Sequence, residues 1–201
     1  MEKNEKFIAL ETSLNPKLES LEKFYNESLE FILKFSIPIF EKEPLTTYVL
    51  FYKYLEVAHD QKRKIQGSKS NLNINYTTVK NTVKSLKNYY KILYNELYNR
   101  PEFESLNNAT RESKVTFLLT NEALYINTWS NLFNNYETLI NLYEGKIKDL
   151  RDFVYDLKAY WRIYSEKNEF ENVTPINYKG DERAFDDMLE LINPKQPKET
   201  V

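Results

Sequence analysis

Residues 129–164 read WSNLFNNYETLINLYEGKIKDLRDFVYDLKAYWRIY. Along them large apolar side chains return at Trp129, Phe133, Tyr136, Ile140, Tyr143, Ile147, Leu150, Val154, Leu157, Trp161 and Tyr164, alternately four and three positions apart. A repeat averaging 3.5 residues holds one stripe of an α-helix against a partner over its whole length, which a lone amphipathic helix does not require. The spacing predicts one coiled-coil-like helix over residues 115–164, about 75 Å long at 1.5 Å per residue. Gly145 lies inside it, and glycine costs about 1 kcal/mol in a helix interior. The 4-3 phase nevertheless passes through it unchanged. With Trp129 at heptad position d, Gly145 falls at f, farthest from the seam. The helix is therefore expected to continue through Gly145, with a hairpin turn near it as the alternative.

That helix is locally poor. Asn121, Asn127, Thr128, Ser130, Asn131, Asn134, Asn135, Thr138 and Asn141 fill its other positions, each several tenths of a kcal/mol worse than alanine. Packing must offset them. Tyr125, Leu132, Leu139, Leu142, Phe153 and Tyr160 widen the stripe beyond one seam, and a wide stripe meets more than one neighbour. The fold expected is all-α, an elongated antiparallel helical bundle with one long helix.

Outward from that stretch, Phe7, Leu10 and Leu14 predict a short opening turn of helix broken at Asn15-Pro16. Leu18, Leu21, Tyr25, Ile32 and Phe35, with Ser28 in the seam, predict a first helix ending before Pro38. Residues 38–44 read as a connection. A second helix is expected over residues 45–65, burying Tyr48, Tyr52 and Leu55 with Phe51 and Ala58 alongside. Residues 67–75, rich in Ser and Asn after Gly67, read as a polar loop. A third helix starts at Thr78 as N-cap, carries a seam of Val79, Val83, Leu86, Tyr90, Leu93 and Leu97, and stops at Arg100-Pro101. Residues 1–167 make up the bundle. Residues 168–201 form a C-terminal extension with a short amphipathic helix over 181–192 (Phe185, Met188, Leu189, Ile192) and a disordered tail. The predicted long helix is twice the length of its neighbours. It needs two of them stacked end to end or a second copy of the chain, and a homodimer is expected.

Composition excludes several chemistries. With no cysteine there are no disulfides, thiolate nucleophiles or zinc-cysteine sites, and a reducing, cytoplasmic location is the default. Nothing approaches a signal peptide or a membrane span. His59 is the single histidine, which removes Ser-His-Asp and Cys-His arrangements. Glu56-Val-Ala-His59 has the Glu-x-x-His spacing of a di-iron helix, but such a centre needs two of these motifs. Gly67, Gly145 and Gly180 stand too far apart to cradle a phosphate. Asp149, Asp152 and Asp156 lie at positions c, f and c and read as a solvated face. No catalytic residue, metal, cofactor or small-molecule substrate is expected.

Charge distribution is the suggestive feature. Residues 61–95 hold eight basic residues and no acidic one in a chain of net charge −2. Lys80, Lys84, Lys87 and Lys91 each follow the seam of the third helix by one residue, and Lys62, Arg63 and Lys64 form a basic corner. Such a stripe suits a phosphate backbone or an anionic lipid surface, and nearby tyrosines could stack on bases. The function expected is that of a non-enzymatic helical interaction protein, a scaffold, adaptor or inhibitor binding another protein through an aromatic-rich helix face. The alternative is a binder of nucleic acid or anionic membrane surface through Lys62, Arg63, Lys64, Lys80, Lys84, Lys87 and Lys91.

Overall fold

Residues 5–38 and 48–170 are described by the computed structural model, and almost all of them are helical. Helix α1 spans Glu5–Lys34, α2 Tyr48–Tyr98, α3 Asn108–Leu118 and α4 Thr120–Phe170, with a 3-10 turn at Pro101–Phe103. The fold is all-α and elongated, and among the described residues no helix is long and apolar enough to cross a membrane.

Helix α4 runs unbroken through Gly145, and a Cβ built there meets nothing within 4 Å. Its start differs from expectation. The helix anticipated from residue 115 is divided at Leu119 (φ −98°, ψ 16°). There the Thr120 hydroxyl donates to the Phe117 carbonyl at 2.8 Å, competing with the backbone for the last turn of α3. Asn107 caps α3 by accepting from the Thr110 amide at 2.9 Å.

The larger correction concerns α2. The predicted second helix, polar loop and third helix are one 51-residue helix, as long as α4. Residues 67–75 are helical, and Thr78 is no cap, since its carbonyl accepts from Thr82 Oγ1 inside the helix. The reason is phase. Leu72 and Val79 follow Ile65 at seven-residue intervals, and all three are fully buried, each side chain contributing about 1.5–3 kcal/mol. The same phase runs back through Ala58, Leu55 and Phe51, the three buried residues of the first turns. Lys62 and Lys69 occupy two seam positions and hide the apolar pattern; Lys69 reaches out to Glu144 at 2.7 Å. Gly67 falls at the outermost position, where nothing packs.

The third correction is α1, continuous across Pro16. Here too the phase carries through: Phe7, Leu21, Ser28 and Ile32 are buried, while Pro16 is exposed two residues past the half-buried Leu14. The predicted connection beyond Pro38, the start of the predicted second helix, the amphipathic segment 181–192 and the tail lie outside the described residues.

Helices α2 and α4 are antiparallel and in register. As α2 advances from Phe51 through Ser68 to Tyr76, its partners on α4 retreat from Trp161 (centroids 5.1 Å) through Tyr143 (2.9 Å) to Phe133 (centroids 5.2 Å). The expected mismatch in helix length is thus absent. Helix α1 lies parallel to α4. Phe7 packs edge-on against Tyr125, Tyr136 Oη donates to the Leu21 carbonyl at 2.8 Å, and Tyr143 Oη to the Ser28 carbonyl at 3.1 Å.

Candidate polyanion-binding flank

Each long helix has two seam lines, and α1 covers only one of them. On the covered line Leu72, Val79 and Leu86 of α2, and Trp129, Tyr136, Tyr143, Leu150 and Leu157 of α4, are 0–2% exposed. On the other line Lys62, Lys69, Tyr76 and Tyr90 of α2, and Phe133, Ile140, Ile147 and Val154 of α4, stay half-buried, while Leu55, Val83 and Ile126 are 1–8% exposed. The half-buried lengths of the second line are the floor of a flank that α1 leaves uncovered, and at its Tyr90 end it meets the cluster of Val115 and Leu119.

A residue one or four positions after a seam residue lies about 100° or 40° round the helix from it. Lys80 and Lys87 are four past Tyr76 and Val83; Lys84 and Lys91 are one past Val83 and Tyr90. All four therefore sit beside the open line, away from α1, and all are exposed. Among the described residues none of them has a carboxylate within ion-pair distance. Lys80 lies over the Tyr76 ring, 5.9 Å from its centroid. The row from Lys80 to Lys91 is about 17 Å long at 1.5 Å per residue.

The facing wall comes from α4. The Tyr76–Phe133 pair fixes the register and puts Glu122 level with Lys87; burial, with Glu96 and Glu122 nearby, pushes the half-buried Tyr89 phenol above its usual range. Burial itself is the larger cause of that shift. Between Glu122 and Glu137 α4 carries no charge at all. Asn127 and Asn134, one past Ile126 and Phe133, are exposed, and Ser130 is half-exposed between them. Neither asparagine amide makes a hydrogen bond among the described residues. Lys80 and Lys84 thus face an uncharged length of α4 with free amides, while Lys87 is level with Glu122 and Lys91 lies beyond it.

Of the predicted basic residues, Lys80, Lys84, Lys87 and Lys91 come together as one row. Lys62 is half-buried on the floor farther along, and Arg63 is held by Asp60 at 2.8 Å. Lys64 falls at c, on the side away from the open line. The structure adds Lys148, Arg151 and Lys158 of α4, placed by the same spacing after Ile147 and Val154 beside Lys62. Reading the heptad of residues 129–164 for charge as well as for apolar side chains would have found them. Glu137, and Glu144 with Lys69, separate the two basic lengths.

The remaining candidates do not assemble. Glu56 is exposed and His59 half-buried, and among the described residues no three His, Asp or Glu side chains converge on a metal-binding geometry. Burial, with Lys62, Lys158 and Arg63 nearby, holds the His59 imidazole below its usual range, and Asp60 pulls the other way. Asp149, Asp152 and Asp156 are exposed. A cleft of about 290 Å³ between α1 and α4 is lined by Glu22, Asn26, Asn131 and Asn135 among others, a single carboxylate among amides. No known family, curated protein or solved structure matches this chain.

Proposed function

We propose that this chain is a non-enzymatic helical interaction protein whose recognition surface is the open flank of α2 and α4 and whose partner is a polyanion. The observation that carries the reading is the exposed row Lys80, Lys84, Lys87 and Lys91, without a carboxylate partner among the described residues, whose first two members face an uncharged length of α4. Four unneutralised cations on one rigid wall attract a polyanion and release its counterions on binding. A row meant to close the bundle would face carboxylates. Three aromatics of the long seam, Trp129, Tyr136 and Tyr143, are fully buried and so do not themselves offer a surface to a partner. The absence of cysteine fits a cytoplasmic setting.

Retention on heparin at increasing salt tests this. Lys84→Glu with Lys87→Glu replaces two exposed side chains and leaves the helix content intact, and it is expected to abolish retention. Unchanged retention would remove the reading. A protein partner or a second copy is the second reading, favoured by Phe117 and Leu124, which are 67% and 60% exposed on α3 and α4. Light scattering that returns a dimer sensitive to Phe117→Ser with Leu124→Ser would support it.

A further inference from the structure

The open flank has three parts, and each constrains the polyanion. One wall is the lysine row. The floor carries one aromatic pair: Tyr76 and Phe133 are stacked at 5.2 Å between centroids with 24° between planes, both are half-buried, and Lys80 lies over the Tyr76 ring. The opposite wall carries Asn127 and Asn134, whose amides can both donate and accept and are unengaged among the described residues.

We infer that the ligand is a single-stranded nucleic acid lying in this furrow, with phosphates along Lys80 to Lys91 and bases over Tyr76 and Phe133 toward Asn127 and Asn134; this rests on the polyanion reading above. A positive row beside an aromatic platform is what binds single strands, because every base has a face to stack while the phosphates need only cations. Free amides beside the platform meet the edges of unstacked bases, which offer donors and acceptors together.

A duplex fits worse. Its major groove is about 12 Å wide and admits one helix, whereas α2 carries α4 packed against it at roughly 8–10 Å between axes. The bases of a duplex would stay out of reach of the floor. A lipid surface also fits worse, because the exposed large apolar residues of this length do not lie on the furrow. Ile74 and Leu124 are two positions past the covered line, at Leu72 and Glu122, and Ile92 is two past Tyr90, which turns all three to the outer sides. Asn and Ser are what a membrane would meet between the lysines, with nothing to insert.

The test is fluorescence anisotropy of the whole chain with four probes: an oligothymidylate, an abasic phosphodiester strand of the same length, a duplex, and phosphatidylserine vesicles. The oligothymidylate is expected to bind about tenfold tighter than the abasic strand, the gain of a stacked base, and tighter than the duplex. Asn127→Ala with Asn134→Ala improves helix propensity, so folding is not in question. It is expected to narrow that gap severalfold. Tyr76→Leu keeps an apolar side chain at the seam, removes the ring and should erase most of the gap. Equal binding of the thymidylate and abasic strands, or preference for duplex or vesicles, with heparin retention intact, would overturn the single-strand inference and leave the polyanion reading standing. Failure to retain any polyanion would remove both.

Discussion

Tyr143 and Ser68 lie 2.9 Å apart, oxygen to oxygen, in the middle of the bundle. The phenol hydrogen of Tyr143 goes to the Ser28 carbonyl at 3.1 Å, so the Ser68 hydroxyl is the donor of the pair. One phenol oxygen thereby ties α1, α2 and α4 at a single level. Seven residues earlier on α4, Tyr136 donates to the Leu21 carbonyl, seven residues earlier on α1. The two phenols fix the register of α1 against α4 as well as its presence.

Removing one of these hydroxyls should cost little in packing and a measurable amount in stability. Tyr143→Phe keeps the ring and loses one buried and one part-buried hydrogen bond, and about 1–2 kcal/mol of destabilisation is expected in urea unfolding followed by circular dichroism. Tyr136→Phe should cost about 1 kcal/mol. A stabilised variant at either site would show that the phenols are not what holds α1 in register.

Both phenols are fully buried, and burial raises the ionisation of each above the ordinary value of 10.0, well above it for Tyr136 and less for Tyr143, whose hydrogen bonds to Ser68 and Ser28 pull the other way. The unfolded chain releases these protons near pH 10 while the folded chain holds them, so the unfolded state then binds fewer protons. The stability they contribute is complete below about pH 10 and falls as pH rises further, by up to about 1.4 kcal/mol per pH unit for each group. Thermal melts at pH 9, 10 and 11 are expected to show a steep alkaline loss, flattened in Tyr136→Phe. Equal slopes in variant and parent would remove the assignment.

Gly67 and Gly145 both sit at f of their heptads, with nothing within 4 Å of a built Cβ. Alanine at either position lowers the conformational freedom of the unfolded chain and adds no clash. Each substitution should stabilise by about 0.5–1 kcal/mol, roughly additively, since the sites share no partner. Loss of stability in Gly67→Ala would mean that α2 is bent there in solution.

Pro16 lies inside α1 on its exposed side. It removes one backbone donor, leaving the Thr12 carbonyl without its usual partner. Pro16→Ala should restore that bond and stabilise by about 1–3 kcal/mol, the interior cost of proline less what a bend already recovers. Amide exchange around residues 12–16 should slow in parallel.

These substitutions show how far the sequence could be followed. The three sites that interrupt helices in most chains, Pro16, Gly67 and Gly145, all stand two residues past a seam position, at Leu14, Ile65 and Tyr143. Phase continuity kept α4 whole at Gly145 when the residues alone were considered. The same argument applied to Ile65, Leu72 and Val79 would have kept α2 whole. It was masked by Lys62 and Lys69 in the other seam line and by the run of Ser and Asn, whose poor propensity resembles a loop. Tertiary burial overrides that propensity, because each fully buried aliphatic side chain outweighs several unfavourable surface positions. The basic row was legible as a list of residues. Its exposure was not, because exposure depends on which side of α2 takes α1.

From the residues alone the heptad spacing determined that long helices pack side by side and that Lys80, Lys84, Lys87 and Lys91 share one face, since both follow from the 3.6-residue turn. Only the tertiary structure decided that α2 equals α4 in length and that α1 lies over the line of Tyr136 and Tyr143. The register of α2 against α4 in turn puts Lys80 and Lys84 opposite uncharged residues of α4. Periodicity places a side chain on its own helix, but which flank is left to water is settled by the arrival of a third helix, pinned here by two phenols to two carbonyls.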